Sequence, residues 1–349
     1  MVAISRRARA IRAAGPDDLA SVFGSAIAAR FDAGSTGIKI HPTGLQIFYE
    51  NFGTALPLPF VPPAVYAPPL ERHPVELKPV EFKPETTMQG SANLNLMIKA
   101  ARRAGRSLVK DFREVENLQV STKGPGDFVS KADREAERMI KEDLMGGRPT
   151  YGWLGEETGG AAGSDPTRRW IVDPLDGTTN FLHGLPHWAV SIALEHKGEI
   201  VSAVVFDAAK DEMFIAEKGA GAWMNERRIR VSGRRVMSEA VFATGVPYGI
   251  MATLPATLAD LARLMPGCAG VRRWGAAALD LAYVAAGRFD GYWERELKPW
   301  DIAAGILLVR EAGGLMAPIR DGDDILAKGA VICANDALFA PFRDLIRAV

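Results

Sequence analysis

Trp170-Ile171-Val172-Asp173-Pro174-Leu175-Asp176-Gly177-Thr178-Thr179-Asn180-Phe181 is the stretch whose reading decides the fold. Ile171 and Val172 suit a buried strand, and Asp173-Pro174 is expected to stop it. The strand then delivers Asp173 and Asp176 side by side at its C-terminal end. Pro174 stiffens the turn between them, and Gly177 lets the backbone approach a ligand. Carboxylates this close repel unless they are protonated or share a cation, and hard oxygen donors suit Mg²⁺. The amides and hydroxyls of Gly177-Thr178-Thr179 suit phosphate oxygens. The segment therefore reads as a metal-and-phosphate site, where a bare Asp-Pro turn would be a surface cap.

Three further acidic motifs flank it. Upstream, Gly155-Glu156-Glu157-Thr158 closes the short apolar run Tyr151–Leu154. Earlier still, Asp127-Phe128-Val129-Ser130-Lys131-Ala132-Asp133 leads into a helix expected over about 131–145, with Ser130 and Asp133 spaced as a capping box. Downstream, Lys298-Pro299-Trp300-Asp301-Ile302-Ala303-Ala304-Gly305 opens a helix of small residues, with Asp301 in its first turn, where the helix dipole favours an anion.

Together these four motifs resemble the signatures of the inositol monophosphatase family of Mg²⁺-dependent, lithium-sensitive phosphatases, and the resemblance covers residues 90–349. It implies a five-layer αβαβα sandwich with the metals between its halves, and a homodimer. Glu156, Asp173 and the Leu175 carbonyl match the ligands of a first Mg²⁺, and Asp173, Asp176 and Asp301 those of a second; a third, weaker Mg²⁺ near Glu156 is usual in the family. Asp133 matches the residue that orients the Thr178 hydroxyl toward an attacking water, so Asp133, Glu156 and Thr178 are the catalytic candidates. Gly177 and Thr178 would bind phosphate, and Asp176, Gly275, Ala276, Ala277 and Glu294 would contact the substrate. Two positions depart from the pattern: Ser130 stands where Thr is more usual, and Ala276 where the family usually carries a Ser or Thr hydroxyl. The second departure bears on the alcohol that leaves, not on the metals.

The expected reaction is hydrolysis of a phosphate monoester, foremost myo-inositol 1-phosphate, by in-line attack of a metal-activated water. Histidinol phosphate, fructose 1,6-bisphosphate and a 3′-phosphoadenosine nucleotide are the alternative substrates. Some bacterial members of the family also act as regulatory partners of the transcription machinery or RNA, which supplies a noncatalytic alternative.

Composition fits a globular enzyme of the cytoplasm. The chain is 48% hydrophobic and formally neutral, with no basic stripe of the kind that binds nucleic acid and no apolar run long enough to span a membrane. Cys268 and Cys333 read as small buried residues. His183 and His187 are four apart, but Gly184 and Pro186 between them break any helix that would align them on zinc.

The first 87 residues stand apart. They hold half of the 22 prolines, with Pro62-Pro63 and Pro68-Pro69 in pairs, so residues 57–84 are expected to be extended or disordered. Ser5-Arg6-Arg7 is followed by no apolar signal region. The expected division is an N-terminal extension over 1–87, with Met88 as the biological start, and a catalytic domain over 88–349 beginning with an amphipathic helix that turns Leu94, Met97, Ile98, Ala101, Leu108 and Val109 inward. After that helix and the one at 131–145 come strands near 151–155, 169–173, 188–196, 200–206 and 212–217, a turn at 219–223 and a strand at 228–231. Strands and helices then alternate to a closing helix near 336–347. An α+β first half and an α/β second half follow from this order.

Overall fold

The computed structural model describes residues 38–41, 44–47, 90–114, 120–124, 127–246 and 253–348, and the chain divides into two units at Pro79/Val80. In the first unit, β1 (Ile38–His41) and β2 (Gly44–Ile47) pair antiparallel. The Pro-rich run at 57–84, the Arg-rich start and the side chains of Asp127 and Ser130 lie outside the described residues.

The second unit begins with α1 (Ala92–Phe112), whose first turn is capped by the Ser91 hydroxyl accepting from Leu94 N–H at 3.2 Å. Leu94, Met97, Ala101 and Leu108 are buried as the periodicity predicts, while Ile98 and Val109 sit at the half-buried edge of that face. A hairpin of β3 (Val120–Gly124) and β4 (Asp127–Ser130) follows and was not expected. Next come α2 (Lys131–Gly147), β5 (Tyr151–Gly155), the short β6 (Gly159–Ala161), β7 (Asp165–Asp176) and a single turn of helix, α3 (Thr178–Leu182). The meander β8 (Ala189–His196), β9 (Glu199–Asp207), β10 (Glu212–Glu217), β11 (Gly221–Met224) and β12 (Arg227–Ile229) completes an eight-stranded sheet of order β12-β11-β10-β9-β8-β7-β5-β6. Residues 221–223, expected to belong to a turn at 219–223, lie in the strand Gly221–Met224 because the β10 edge is open to them and Trp223 pairs with Ile215.

The remaining elements are β13 (Val241–Thr244), α4 (Leu254–Leu264), β14 (Gly270–Arg272), α5 (Ala277–Ala285), β15 (Gly291–Glu294), α6 (Pro299–Glu311), β16 (Leu315–Pro318), α7 (Ile325–Lys328), β17 (Val331–Ala334) and α8 (Asp336–Arg347). Their strands make a second sheet, β14-β13-β15-β17-β16, parallel on one side of β15 and antiparallel on the other.

Three apolar cores fill the gaps between five layers. The first lies between α1, α2 and the large sheet, around Met97, Ile140, Trp170 and Val190. The second joins the other face of that sheet to α5, α6 and the small sheet, through Ile171, Leu281, Ile306 and Tyr292. The third packs α4 and α8 on the outer face of the small sheet, with Phe242 and Phe342 stacked at 4.4 Å. The middle layer explains the composition of its helices: α5 is buried at every position, and Ile302–Val309 of α6 likewise. The architecture is the expected αβαβα sandwich.

Cys333 is buried as expected, but Cys268 is half-exposed. It follows a short 3₁₀ turn at the end of α4, and its Sγ faces the Met265 carbonyl at 3.8 Å instead of the core.

Candidate metal centre

β7 does not stop at Pro174. Proline cannot donate to the ladder, yet β7 resumes: Asp173 pairs with Ser191, and Asp176 with Ala189. Three steps along β7 thus match two along β8, so one extra residue is absorbed as a bulge. That extra residue decides the site. Residues i and i+3 of a regular strand point to opposite faces, and the bulge brings Asp173 and Asp176 to the same cleft.

The turn is held by its own side chains. Asp173 Oδ1 accepts from Leu175 N–H at 2.9 Å, and the Thr178 hydroxyl lies 2.9 Å from the Leu175 carbonyl oxygen and 3.3 Å from Asp133 Oδ2. Gly177 has φ +89°, and a Cβ there would lie 2.9 Å from the His187 carbonyl oxygen. Asp176 Oδ2 accepts from Ala278 N–H at 2.7 Å, which ties the turn to the first turn of α5.

Other elements bring further groups to the same place. Glu156 leaves the end of β5, its N–H donating to the Val172 carbonyl at 3.2 Å. Asp301 sits in the first turn of α6, where its Oδ2 accepts from Lys298 N–H at 2.7 Å. Glu294 ends β15 and accepts from the Tyr292 hydroxyl at 2.5 Å. These carboxylates line a cavity of about 200 Å³ together with Leu175, Gly177, Thr178, Gly275, Ala276 and Ala277. All the sequence-predicted residues are brought together there except Asp133, which sits behind Thr178.

The electrostatics are lopsided. Five carboxylates, Glu156, Asp173, Asp176, Glu294 and Asp301, face one another, and Arg273 is the one basic residue among the described lining. Burial pushes the Asp173 carboxyl well above the usual carboxylate range, and Glu156, Asp176 and Asp301 push it further. Burial does the same to Asp176, with Asp301 next in weight. Asp301 is pushed up to about 6 by its enclosure, against the opposing pull of the Lys298 amide and ammonium. Such a set of hard oxygen donors, each resisting charge on its neighbours, fits divalent cations. A second acidic group adjoins it: carboxylate oxygens of Asp133, Glu156 and Glu157 lie within 4.8 Å of one another.

Sequence reasoning missed several participants. Glu157 stood beside the motif residue without a role. Gly245 has a reason only in three dimensions, since a Cβ there would fall 1.8 Å from Glu294 Oε1. Asp280, buried and without a hydrogen-bond partner on either oxygen among the described residues, lies near enough to Glu294 and Asp176 for their charges to raise it, after burial itself. Its place four residues after Ala276 was the only available signal.

Comparison with known proteins agrees with this geometry. The inositol monophosphatase family model matches residues 91–346. The chain is 55% identical over 260 residues to the inositol-1-monophosphatase of Rhizobium meliloti (strain 1021), covering 74% of this chain and 98% of that protein. It is 44% identical over 250 residues to the Nus factor SuhB of Pseudomonas aeruginosa, covering 70% and 92%. Among solved structures, the extragenic suppressor protein suhB from Bartonella henselae superposes with a TM-score of 0.72 at 51% identity, over 74% of this chain and 99% of that one. With the motifs, the layers and the acidic cleft in agreement, the chain belongs to the inositol monophosphatase family.

Proposed function

We propose that the protein hydrolyses myo-inositol 1-phosphate, or a close phosphorylated polyol, to the free alcohol and phosphate, with Mg²⁺ in the cleft, as a cytoplasmic homodimer. The observation that carries the reading is the convergence of Glu156, Asp173, Asp176 and Asp301, all oxygen donors from three separate elements, on one cavity. Glu156, Asp173, the Leu175 carbonyl, Asp176 and Asp301 would hold the ions. Bound there, two divalent cations supply a nucleophile at neutral pH and neutralise the phosphoryl and leaving oxygens.

The protein's own groups do the rest. The Thr178 hydroxyl, within hydrogen-bond reach of the Leu175 carbonyl and Asp133, would orient the attacking water. Gly177 and Thr178 offer amides to the phosphate. Glu294 is pushed up to about 7 by burial, with the Tyr292 hydroxyl pulling it back, so near neutral pH it can share a hydrogen bond with a substrate hydroxyl in either protonation state. Ala276 offers no hydroxyl, which leaves recognition of the alcohol to Glu294 and the nearby backbone.

The test is phosphate release from inositol 1-phosphate, histidinol phosphate and fructose 1,6-bisphosphate, with and without Mg²⁺. Preference for the first supports the whole reading; turnover of another keeps the site and replaces the substrate. We assign the activity to residues 88–349, and a chain begun at Met88 should match the full chain in that assay.

A second reading has its own support, because several relatives are named Nus factors. It is a partnership with the transcription machinery, and retention of purified RNA polymerase by the immobilised protein would bring it forward.

A further inference from the structure

Glu137 lies on α2 one helical turn beyond Asp133, fully buried, a place where glutamate is rare unless its oxygens are engaged. Both are engaged by consecutive backbone amides of the turn that carries Glu156: Oε2 accepts from Glu157 N–H at 2.7 Å, and Oε1 from Thr158 N–H at 2.9 Å. The approach requires a glycine. A Cβ on Gly155 would lie 2.7 Å from Glu137 Oε2 and equally close to Trp153 Nε1. The Thr158 hydroxyl is anchored in turn, accepting from Trp153 Nε1 at 3.1 Å and Lys141 Nζ at 3.2 Å. On its other side the turn is fastened to β7 by the hydrogen bond from Glu156 N–H to the Val172 carbonyl.

Glu156 is therefore fixed before and after its Cα. One face of α2 serves two arms of the cleft: Asp133 reaches Thr178, and Glu137, four residues on, holds the turn of Glu156 and Glu157. Nothing in this arrangement brings Glu137 to the cavity, whose lining does not include it.

From this geometry we infer that Glu137 is a positioning residue for the cation site: its carboxylate holds the 155–158 turn so that Glu156 meets the ion without first paying to order its backbone. The inference rests on the metal reading of the cleft proposed above. Replacing one carboxylate oxygen by an amide NH₂ sets donor against donor at one of the two backbone amides and releases that end of the turn. Outer partners of metal ligands commonly change affinity 10- to 100-fold.

The experiment is calorimetric titration of the full chain with MgCl₂, comparing wild type, Glu137→Gln and Leu144→Ala. Leu144 is a buried core residue on the same helix and remote from the turn in sequence, and its variant controls for loss of stability alone. Should Glu137→Gln not fold, Glu137→Asp, which keeps the charge but falls short of the amides, takes its place. Expected are a Mg²⁺ dissociation constant raised about 10-fold or more in the Glu137 variant, an unchanged constant in Leu144→Ala, and a kcat that returns to near wild type when Mg²⁺ is saturating. A wild-type constant in a folded Glu137 variant overturns the inference while leaving the metal reading intact. A kcat that stays low at saturating Mg²⁺ overturns it too, since positioning is then not the defect. If the wild-type protein itself takes up no Mg²⁺, the metal reading falls and this inference with it.

Discussion

Asp173 and Asp176 carry a cost that their neighbours impose. Burial and mutual repulsion raise both carboxyls, so a chain without cations holds charge it would rather shed. Asp173→Asn keeps the Oδ1 acceptor for the Leu175 amide and removes the charge. It should lower turnover at least ~100-fold and also stabilise the EDTA-treated protein against unfolding, because it removes a charge that burial and the neighbouring carboxylates disfavour. Phosphate release and urea titration of the same sample read both, and near-normal turnover would sink the ligand assignment. His187 offers a cleaner pH signature. Burial, helped by the Lys210 ammonium, pushes its imidazole down from 6.5 to about 4, and its Nε2 has no partner among the described residues. The unfolded chain takes up that proton near 6.5 while the folded chain refuses it until about 4, so stability is lost as pH falls through this window. His187→Phe, which preserves the ring packing on Trp274 and Tyr283, should lose less stability between pH 7 and 4.5. If the two acid-unfolding curves coincide, the imidazole is not buried neutral. At this scale the legible residues were those adjacent in sequence: Asp173, Asp176 and Thr178 share one turn. Glu137 and Gly245 were illegible, because their partners, the Glu157 amide and the Glu294 carboxylate, arrive from distant elements.

Elements marked by apolar spacing and end signals could be read closely, and those that depend on an open edge could not. The closing helix α8 was read at its observed bounds, because apolar spacing and end signals coincide there. β11 looked like a turn from its Gly219-Ala220-Gly221 entry, and became a strand only because β10 offered an unpaired edge. β7 looked finished at Pro174, and ran on because β8 lies alongside and a bulge absorbs the proline. The α5–α6 contact yields a test at the same scale. A Cβ on Gly305 would fall 2.4 Å from Leu281 Cδ1 and 2.6 Å from Leu281 Cβ. Helix propensity alone makes Gly305→Ala stabilising by about 1 kcal/mol. Overpacking where the buried α5 meets the buried stretch of α6 outweighs it, and a net loss of about 1–2 kcal/mol in urea unfolding is expected. A net gain would mean that α6 can slide away from α5. Because α6 carries Asp301 and α5 carries the amide that holds Asp176, the same variant should weaken Mg²⁺ dependence as well as stability.

Across the whole molecule, the five layers were foreseen by resemblance and follow physically from two helices buried on every face over Ala277–Ala285 and Ile302–Val309, which therefore need a sheet on each side. What no local pattern could supply was the meeting of chain segments from Asp133 to Asp301 in one cleft. That feature reaches into the time course of folding. Contacts between segments so far apart close a long loop and tend to form late, when most of the surface is already buried. A cation that needs Asp301 as well as Glu156 then finds no partner in the folding transition state. Saturating Mg²⁺ should therefore slow unfolding while leaving the refolding rate as it is, so the two limbs of a denaturant chevron respond unequally. Stopped-flow refolding that accelerates with Mg²⁺ would place the cleft in the nucleus instead. With unequal limbs, the ion behaves as a latch that drops only after the door has shut, and the protein's lifetime in the folded state is set by the cation supply around it.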